Sequence, residues 1–391
     1  MQYIKLKNAF KIQKGKKVEQ ISEYQENCIR CIQIEDLRNN DTLKYCLPNE
    51  KHVVVEEEDI LIAWDGANAG TVGTGLVGAL GSTLAKLTLK TDKLVAPFVA
   101  ILLQSKFDYF QQTATGATIP HISRKALEDI DLPVIDIEIQ KKIVKVINSS
   151  LELIKKRQSQ IEALDELVQS VFLEMFGDPS TNPKGWCKVT LPQIVEDTKY
   201  SIKRGPFGGA LKKDIFINQG YLVYEQYHAI NDDFSLKRYF IDDEKFEELK
   251  AFKVNPGDLI VSCSGVTLGR IAEIPQNALP GIINQALLKI TLDSRKMNNV
   301  FFKFLFRNRY VQDILFSVSR GSGVPNLPPM SVIKSIEFMC PPINMQKAFE
   351  IKINAIQAQK SNLEFTLKEM RNLYNSLLQK AFKGEIFQEQ A

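Results

Sequence analysis

The sequence contains few of the residues that mark metal-binding proteins. Its 391 residues include only three histidines and six cysteines, and Cys28 and Cys31 form a single C-x-x-C pair. A structural zinc site needs about four thiolate or imidazole ligands, usually including a second such pair. We therefore expect reduced, partly buried thiols and no bound metal.

Long apolar runs are also missing. No segment approaches the roughly 18 apolar residues that mark a membrane-spanning helix. The first residues, "MQYIKLKNAFKIQKGKK", lack the apolar region and the cleavage site of a secretory signal. We therefore expect a cytoplasmic protein without a membrane partner. The net charge is only +4, which permits a polyanionic partner but does not require one.

Catalytic motifs are incomplete wherever the sequence suggests them. The glycine-rich stretch Gly66–Gly75 lacks the Gly-Lys-Ser/Thr of a phosphate-binding loop and the spacing of a dinucleotide fingerprint, so it indicates a turn. "NLPPM" at Asn326–Met330 is similar to the Asn-Pro-Pro-aromatic loop of adenine methyltransferases, but Leu327 interrupts it and no aromatic residue follows. The adjacent acids Glu56–Asp59 fit a charged turn better than a nuclease metal site. We expect no enzymatic activity in this chain itself.

A long tandem repeat is the most informative feature that is present. "GATIPHIS" at Gly116–Ser123 returns as "GSGVPNLP" at Gly321–Pro328. Neighbouring segments recur in the same order: "DILIAWDGANAG" with "DLIVSCSGVTLG", "AKLTL" with "LKITL", and "IDIEIQKKI" with "PPINMQKAF". Ordered matches at a nearly constant offset indicate the duplication of a whole domain and not a short-period repeat.

Each half combines strand-like and helical patterns. Short apolar runs such as "HVVV" and "DLIVSC", bounded by turn-forming residues, predict strands. The stretches "LVAPFVAILLQSKFDYFQQ" and "NNVFFKFLFRNRYVQDIL" predict helices between them. The sequence therefore predicts an α+β fold with two tandem-duplicated globular domains, separated by two long helices that form an antiparallel coiled coil.

The coiled-coil prediction rests on an apolar period near 3.5 residues at the end of each half. The seam positions are Ile143, Ile147, Ser150, Ile154, Arg157, Ile161, Leu164, Val168, Val171 and Met175, and then Phe349, Ile353, Ile356, Lys360, Leu363, Leu367, Met370, Tyr374, Leu377 and Ala381. The alternative is that each helix lies on its own domain. Arg157 and Lys360 occupy seam positions, where they either fix the register or extend their stems to solvent.

Together these features resemble the DNA-specificity subunit of type I restriction–modification enzymes. The repeated Gly-small-x-aliphatic-Pro block resembles the end of that family's target recognition domains, and "PPINMQ" resembles its Pro-Pro-x-x-x-Gln segment before a spacer helix. "RGPFGGALKKD" at Arg204–Asp214 resembles a Gly-Pro-Phe-Gly loop of those domains. The first half departs from the pattern, because it keeps Gln140 without the second proline and has "KIQKGKKV" in place of such a loop.

The resemblance implies two target recognition domains at 1–135 and 186–340, spacer helices at 136–177 and 341–391, and a linker at 178–185. It implies a non-catalytic subunit that binds double-stranded DNA, with each domain reading one half of a bipartite asymmetric site and the helices setting the gap. Partners would be two methyltransferase subunits and restriction (motor-nuclease) subunits. S-adenosylmethionine, ATP and Mg²⁺ would then belong to those partners and not to this chain.

Candidate DNA contacts combine cations for phosphates with polar side chains for base edges. They are Lys14, Lys16, Lys17, Arg38, Asn39, Asn40, Lys203, Arg204, Lys212, Lys213, Gln226, Tyr227 and His228. The alternative for each is a solvated surface residue. For the chain as a whole, the alternatives are a stand-alone DNA methyltransferase and a coiled-coil scaffold that does not bind DNA.

Overall fold

The structure is a computed structural model in which the chain forms two compact units. Unit 1 comprises Met1–Gln160 with Leu363–Ala391, and unit 2 comprises Ile161–Asn362. The residues that the structure describes are 2–22, 24–116, 118–317 and 325–386. Parts of the repeated blocks (Ala117 and residues 321–324) and the end of the predicted C-terminal spacer lie outside them.

Unit 1 combines short strands with helices. Its strands are β1 (Gln2–Lys5), β2 (Phe10–Lys14), β3 (Ile29–Ile32), β4 (Tyr45–Cys46), β5 (Val54–Val55), β6 (Ile60–Ala63), β7 (Val72–Gly73), β8 (Gly78–Leu80), β9 (Leu84–Leu89) and β10 (Asp131–Val134). Its helices are α1 (Leu6–Ala9), α2 (Ala96–Gln104), α3 (Phe107–Thr113), α4 (Arg124–Glu128) and the first part of α5 (Ile137–Phe176).

Unit 2 repeats this arrangement. Its strands are β11 (Lys188–Thr190), β12 (Ile202–Arg204), β13 (Tyr221–Tyr224), β14 (Phe240–Ile241), β15 (Lys253–Val254), β16 (Leu259–Ser262), β17 (Ile271–Glu273), β18 (Gly281–Ile283), β19 (Leu287–Ile290) and β20 (Glu337–Met339). Its helices are α6 (Leu191–Ile194), α7 (Gln226–Asn231), α8 (Asp243–Glu248), α9 (Asn299–Arg307), α10 (Arg309–Ser317), α11 (Met330–Ser335) and the first part of α12 (Ile343–Lys383). The second part of α5, from Ile161, also belongs to unit 2, and the second part of α12, from Leu363, belongs to unit 1.

The sheets demonstrate the duplication strand by strand. Unit 1 has the sheets β2-β9-β6-β7, β4-β3-β8-β5 and β1-β10, and unit 2 has β12-β19-β16-β17, β14-β13-β18-β15 and β11-β20. Adding ten to each strand number of unit 1 therefore reproduces unit 2. In both units the third and eighth strands pair in parallel, whereas the other named strand pairs are antiparallel. The predicted α+β fold with duplicated domains and two long helices is confirmed.

The two long helices pack on each other inside each unit. In unit 1, Ile143 and Ile147 near the start of α5 share a hydrophobic core with Leu377 and Ala381 near the end of α12. This contact pattern is antiparallel. Every one of the predicted seam positions is buried or half-buried, as knobs-into-holes packing requires.

In unit 2 the later part of α5 packs on the earlier part of α12, which is again an antiparallel arrangement. Phe172 near the end of α5 packs on Phe349 near the start of α12, with ring centroids 5.6 Å apart. Phe304 of α9 stacks on Phe172 at 4.3 Å, so the helices also pack on the sheet-bearing part of the unit. Large buried rings contribute heavily to core stability, and they anchor this end of each long helix.

The polar seam residues reach across to the neighbouring helix. Arg157 of α5 donates from Nη1 to the Thr366 hydroxyl of α12 in unit 1. Lys360 of α12 forms an ion pair with Asp165 of α5 at 2.5 Å in unit 2. Because each polar group finds its partner at one offset of the helices, these contacts favour a single register.

Asp59 is an exception to the expected charged turn, because it is buried. Its carboxylate accepts hydrogen bonds from the Thr88 hydroxyl at 2.5 Å and from Lys86 Nζ at 2.9 Å. Burial alone would raise the pKa of Asp59, but the bonds from Thr88 and Lys86 outweigh it and hold that pKa below its ordinary value. In unit 2, Asp258 accepts the equivalent bond from Thr291 at 2.5 Å.

A buried glutamine explains why "Q" recurs at the start of each spacer helix. Gln140 and Gln346 are both 0% exposed. Gln346 Oε1 accepts from the Asn298 N–H at 2.8 Å, and its Nε2 donates to the carbonyls of Lys296 and Pro341. Gln140 makes the equivalent bonds with Val95, Lys93 and Ile135. Each glutamine thus ties the start of a long helix to the segment that leads into α2 or α9.

Replacing this glutamine should destabilise the unit that contains it. We expect Gln346→Leu to lower the free energy of unfolding by about 3 kcal/mol, because buried backbone groups lose their hydrogen-bond partners. Thermal and urea unfolding would measure the loss. The control is Gln359→Leu, at an exposed position of the same helix, which should change stability little. Equal effects of the two substitutions would contradict this role.

Among the described residues, no helix combines the length and the apolar character needed to cross a bilayer. All six cysteines are free, and Cys31, Cys46 and Cys263 are buried.

Candidate nucleic-acid interface

In unit 1, three segments that are distant in sequence bring polar side chains together. Lys14 ends β2, Asp65 follows β6, and His121 belongs to the repeated block. Lys14 Nζ lies 2.8 Å from Asp65 Oδ2, and His121 Nδ1 lies 2.7 Å from Asp65 Oδ1. We call Lys14, Asp65 and His121 the Asp65 cluster. Its cation and imidazole are about half exposed, so both remain accessible to a ligand.

Unit 2 builds a second cluster from the corresponding segments. Arg204 ends β12, and its Nη2 donates to Asn326 Oδ1 at 2.9 Å. Ser264 follows β16 and forms an isolated antiparallel bridge with Asn326. Gln226 at the start of α7 donates from Nε2 to the Ser264 carbonyl at 3.0 Å. We call Arg204, Gln226, Ser264 and Asn326 the Ser264 cluster.

Matching backbone hydrogen bonds show that the two clusters occupy equivalent places. The Gly66 N–H donates to the Pro120 carbonyl at 2.8 Å, and the Gly265 N–H donates to the Pro325 carbonyl at the same distance. The proline of each repeated block thus holds the turn that carries Asp65 or Ser264. The equivalence pairs Lys14 with Arg204, Asp65 with Ser264, and His121 with Asn326, so one scaffold presents different chemistry in each unit.

A glycine follows the basic residue of each cluster because the backbones come close there. A Cβ on Gly15 would lie 2.1 Å from the Gly81 carbonyl oxygen, and one on Gly205 would lie 1.8 Å from the Asn284 carbonyl oxygen. Only glycine fits this close approach. In unit 1 the exposed lysines Lys16 and Lys17 come directly after it.

The predicted basic residues of unit 2 divide into two groups. Lys212 and Lys213 are exposed. Lys203 is half-buried, and its Nζ lies 5.5 Å from the Tyr200 ring centroid and 4.9 Å from that of Phe252. The Lys203 ammonium therefore already makes cation–π contacts within the unit. The exposed Lys212 and Lys213 are the better candidates for contacts with DNA phosphates.

Arg38, Asn39 and Asn40 lie at the surface of unit 1, after a short 3₁₀ turn at Glu35–Leu37. Asn40 Oδ1 accepts from Arg30 Nη2 at 2.7 Å, and the Asn39 side chain accepts from the Asp41 N–H at 3.3 Å. All three residues are exposed, and they stay candidates for DNA contacts.

His228 is not placed for a base contact, contrary to the prediction. It is only 1% exposed, its Nδ1 accepts from the Glu225 N–H at 2.9 Å, and its Nε2 faces the Leu236 carbonyl at 3.0 Å. His228 was predicted as a base contact because it follows the strand-like run "YLVYE", where a loop was expected. The chain instead turns directly into α7, and His228 caps the start of that helix.

The two neighbours of His228 also have partners within unit 2. Gln226 supports Ser264, so it acts through the loop that it holds. Tyr227 is 40% exposed, and its hydroxyl donates to Asp233 at 2.7 Å. That bond raises the pKa of Tyr227. Tyr227 stays a prediction, whereas Gln226 is a positioning residue in this conformation.

The sequence interpretation missed Asp65, His121, Ser264 and Asn326 as members of a site. The available signal was the polar residue that follows proline in both repeated blocks. The sequence interpretation used those blocks only to mark the ends of the domains and did not consider their side chains.

Next to Ser264, burial raises the pKa of Cys263 to about 12, so its thiol stays protonated at neutral pH and is a poor nucleophile.

Comparison with known proteins agrees with this architecture. Residues 1–163 match the family described as "Type I restriction modification DNA specificity domain". The resemblance drawn from the sequence is therefore confirmed.

Similarity to type I specificity subunits extends beyond that domain. The type I restriction enzyme MjaVIII specificity subunit of Methanocaldococcus jannaschii is 24% identical over 394 residues, which cover 95% of this chain and 91% of the relative. The type I restriction enzyme EcoBI specificity subunit of Escherichia coli is 20% identical, with coverage of 91% and 79%. Unit 2 is therefore included in the matched region.

Two solved structures share the fold. The S subunit of a type I restriction–modification system from M. genitalium has a TM-score of 0.57 and 16% identity, with 97% of this chain and 96% of that chain covered. A chain from a study of assembly and conformational transition of the type I R-M system has a TM-score of 0.61 and 16% identity, with 98% of both chains covered. At this identity the likeness shows the fold alone.

Proposed function

We propose that this chain is the sequence-specific DNA-binding subunit of a type I restriction–modification complex. The sheet-bearing part of each unit reads one half of a bipartite, asymmetric site. The observation that carries the proposal is the pair of clusters: equivalent positions hold Lys14, Asp65 and His121 in unit 1 but Arg204, Ser264 and Asn326 in unit 2. Donors and acceptors of different kinds select different base edges, so a duplicated scaffold with divergent side chains suits two unlike half-sites.

We propose that α5 and α12 set the gap between the half-sites. The 40 residues of α5 span about 60 Å at ~1.5 Å per residue. Each helix contributes one part to unit 1 and the other part to unit 2. The cross-helix contacts of Arg157 and Lys360 favour one register of the pair, which supports a fixed rather than an adjustable gap.

We further propose that the chain directs other subunits and contributes no chemistry itself. The partners would be two methyltransferase subunits and restriction subunits, which would use S-adenosylmethionine, ATP and Mg²⁺. The names of the relatives support this role, because they are specificity subunits of type I restriction enzymes.

Two simple assays separate this function from its alternatives. A stand-alone methyltransferase would bind labelled S-adenosylmethionine as a purified chain, and we expect no such binding. A scaffold without DNA affinity would give no salt-dependent gel shift when it is combined with its methyltransferase subunits, and we expect a clear one. DNA methylation by this chain alone would contradict the proposed function.

Lys212 should contact a phosphate and not a base. We expect Lys212→Ala to weaken binding of all DNA sequences alike and to reduce the slope of log K against log salt by about 0.9, because one counterion-releasing contact is lost. Gel shifts of the assembled complex at several salt concentrations would measure the slope. The control is Lys352→Ala on the exposed surface of α12, and a slope unchanged by Lys212→Ala would exclude this contact.

A further inference from the structure

Two apolar side chains of unit 2 are almost fully exposed. Phe207 is 94% exposed and Val266 is 90% exposed, and every other large hydrophobic side chain in the described ranges is 71% exposed or less. Exposing such side chains leaves apolar area in water that burial would remove favourably. Neither side chain is part of the hydrophobic cores of unit 2, so both are available to contact a ligand.

Both residues lie close in sequence to members of the Ser264 cluster. Phe207 comes three residues after Arg204, and Val266 comes two residues after Ser264. The turn that carries Val266 is closed by bonds from the Gly265 N–H to the Pro325 carbonyl at 2.8 Å and from the Leu268 N–H to the Gly265 carbonyl at 3.0 Å. Val266 is thus held at the tip of a defined turn beside the polar cluster.

The equivalent positions of unit 1 have different side chains. Lys17 corresponds to Phe207 when Gly15 is matched with Gly205, and Ala67 corresponds to Val266 when Gly66 is matched with Gly265. The hydrogen bonds that close the Gly66 and Gly265 turns are the same, so a different backbone conformation does not explain the change from Ala67 to Val266. The difference falls where the two units would distinguish their ligands.

We propose that Phe207 and Val266 contact the methyl groups of thymines in the half-site read by unit 2. This inference rests on the proposed function. The thymine 5-methyl group is the apolar feature that the major groove presents, and aliphatic and aromatic side chains recognise it by direct contact. The surrounding cations suit the same ligand, because Arg204 lies before Phe207 and the exposed Lys212 and Lys213 follow it. Unit 1 would lack this apolar contact.

Deoxyuridine substitution tests the proposal with unaltered protein. The chain is assembled with its methyltransferase subunits, and each thymine of the recognised site is replaced in turn by deoxyuridine, which lacks only the methyl group. We expect at least one replacement in the unit 2 half-site to weaken binding about fourfold, the value of one buried methyl group.

Variants then assign the methyl contact to a side chain. Phe207→Ala or Val266→Ala should bind the normal site more weakly, and each should be insensitive to the deoxyuridine replacement that its own side chain would sense. Ile351→Ala is the matched control, since Ile351 is 71% exposed on α12, and it should retain the full sensitivity.

The possible outcomes separate this inference from the proposed function. Failure of the unaltered complex to bind any bipartite site overturns the proposed function. Specific binding without any deoxyuridine effect in the unit 2 half-site, or a half-site composed only of G·C pairs, overturns the methyl contact alone. Loss of methyltransferase binding in Phe207→Ala and Val266→Ala, with normal DNA discrimination, would identify the side chains as a protein contact and also overturn it.

Discussion

Replacing residues 1–135 with the corresponding segment of a related specificity subunit should exchange one half of the recognised DNA sequence and leave the other half unchanged. All three members of the Asp65 cluster lie in this segment, and all four members of the Ser264 cluster lie outside it. The hydrogen bonds and ion pairs described for each cluster join residues of one unit only. We expect methylation of the original unit 1 half-site to fall to background.

Methylome sequencing of cells that carry the exchanged chain would measure this result. The donor segment must preserve the carbonyl of Lys93 and the N–H of Val95, because Gln140 binds both. The reciprocal exchange of residues 186–340 is the matched control and should change only the other half-site. A simultaneous change of both half-sites in either exchange would show that the two segments do not read DNA independently.

Lengthening both long helices should lengthen the gap between the half-sites without changing either sequence. We would insert four residues between Gln160 and Ile161 and four between Asn362 and Leu363, where each helix passes from one unit to the other. The contacts of Arg157 with Thr366 and of Lys360 with Asp165 lie within single units and are not interrupted. Four residues add about 6 Å of helix, and B-DNA advances about 3.4 Å per base pair, so we expect a gap longer by about one or two base pairs.

A second insertion separates helix length from chain length. Four residues added after the exposed Thr181, in the segment that follows α5, should leave the gap as it was. Methylome sequencing reads both results. An unchanged gap with full activity in the double helix insertion would show that the helices do not set the spacing.

The duplication and the long helices could be predicted from sequence because their signals are local and repeated. The seam from Ile143 to Met175 depends only on steps of three and four residues along one helix. Its side chains become buried against whichever element the helix packs on. The repeated segments likewise indicated that strand-like runs recur in the same order along both halves of the chain. The glutamine at 140 and 346 was recognised as a family feature, but its three buried hydrogen bonds could not be predicted from the sequence alone.

The polar clusters could not be predicted because they depend on contacts between distant segments. Arg204 and Asn326 are separated by 122 positions and meet only when β12 and the repeated block lie against the same turn. His228 shows the opposite case. A polar residue after an apparent strand indicated a loop, but a histidine that caps a short helix has the same sequence neighbours, and only its burial distinguishes the two.

The claim that each unit reads its own half of one site is tested most directly by sequencing the methylomes of cells with and without the gene for this chain. We predict one methylated motif that requires the gene, with two unlike half-sites separated by a gap of constant length. A gene-dependent motif that is continuous, or a set of methylated sites that is the same in both cells, would contradict the account.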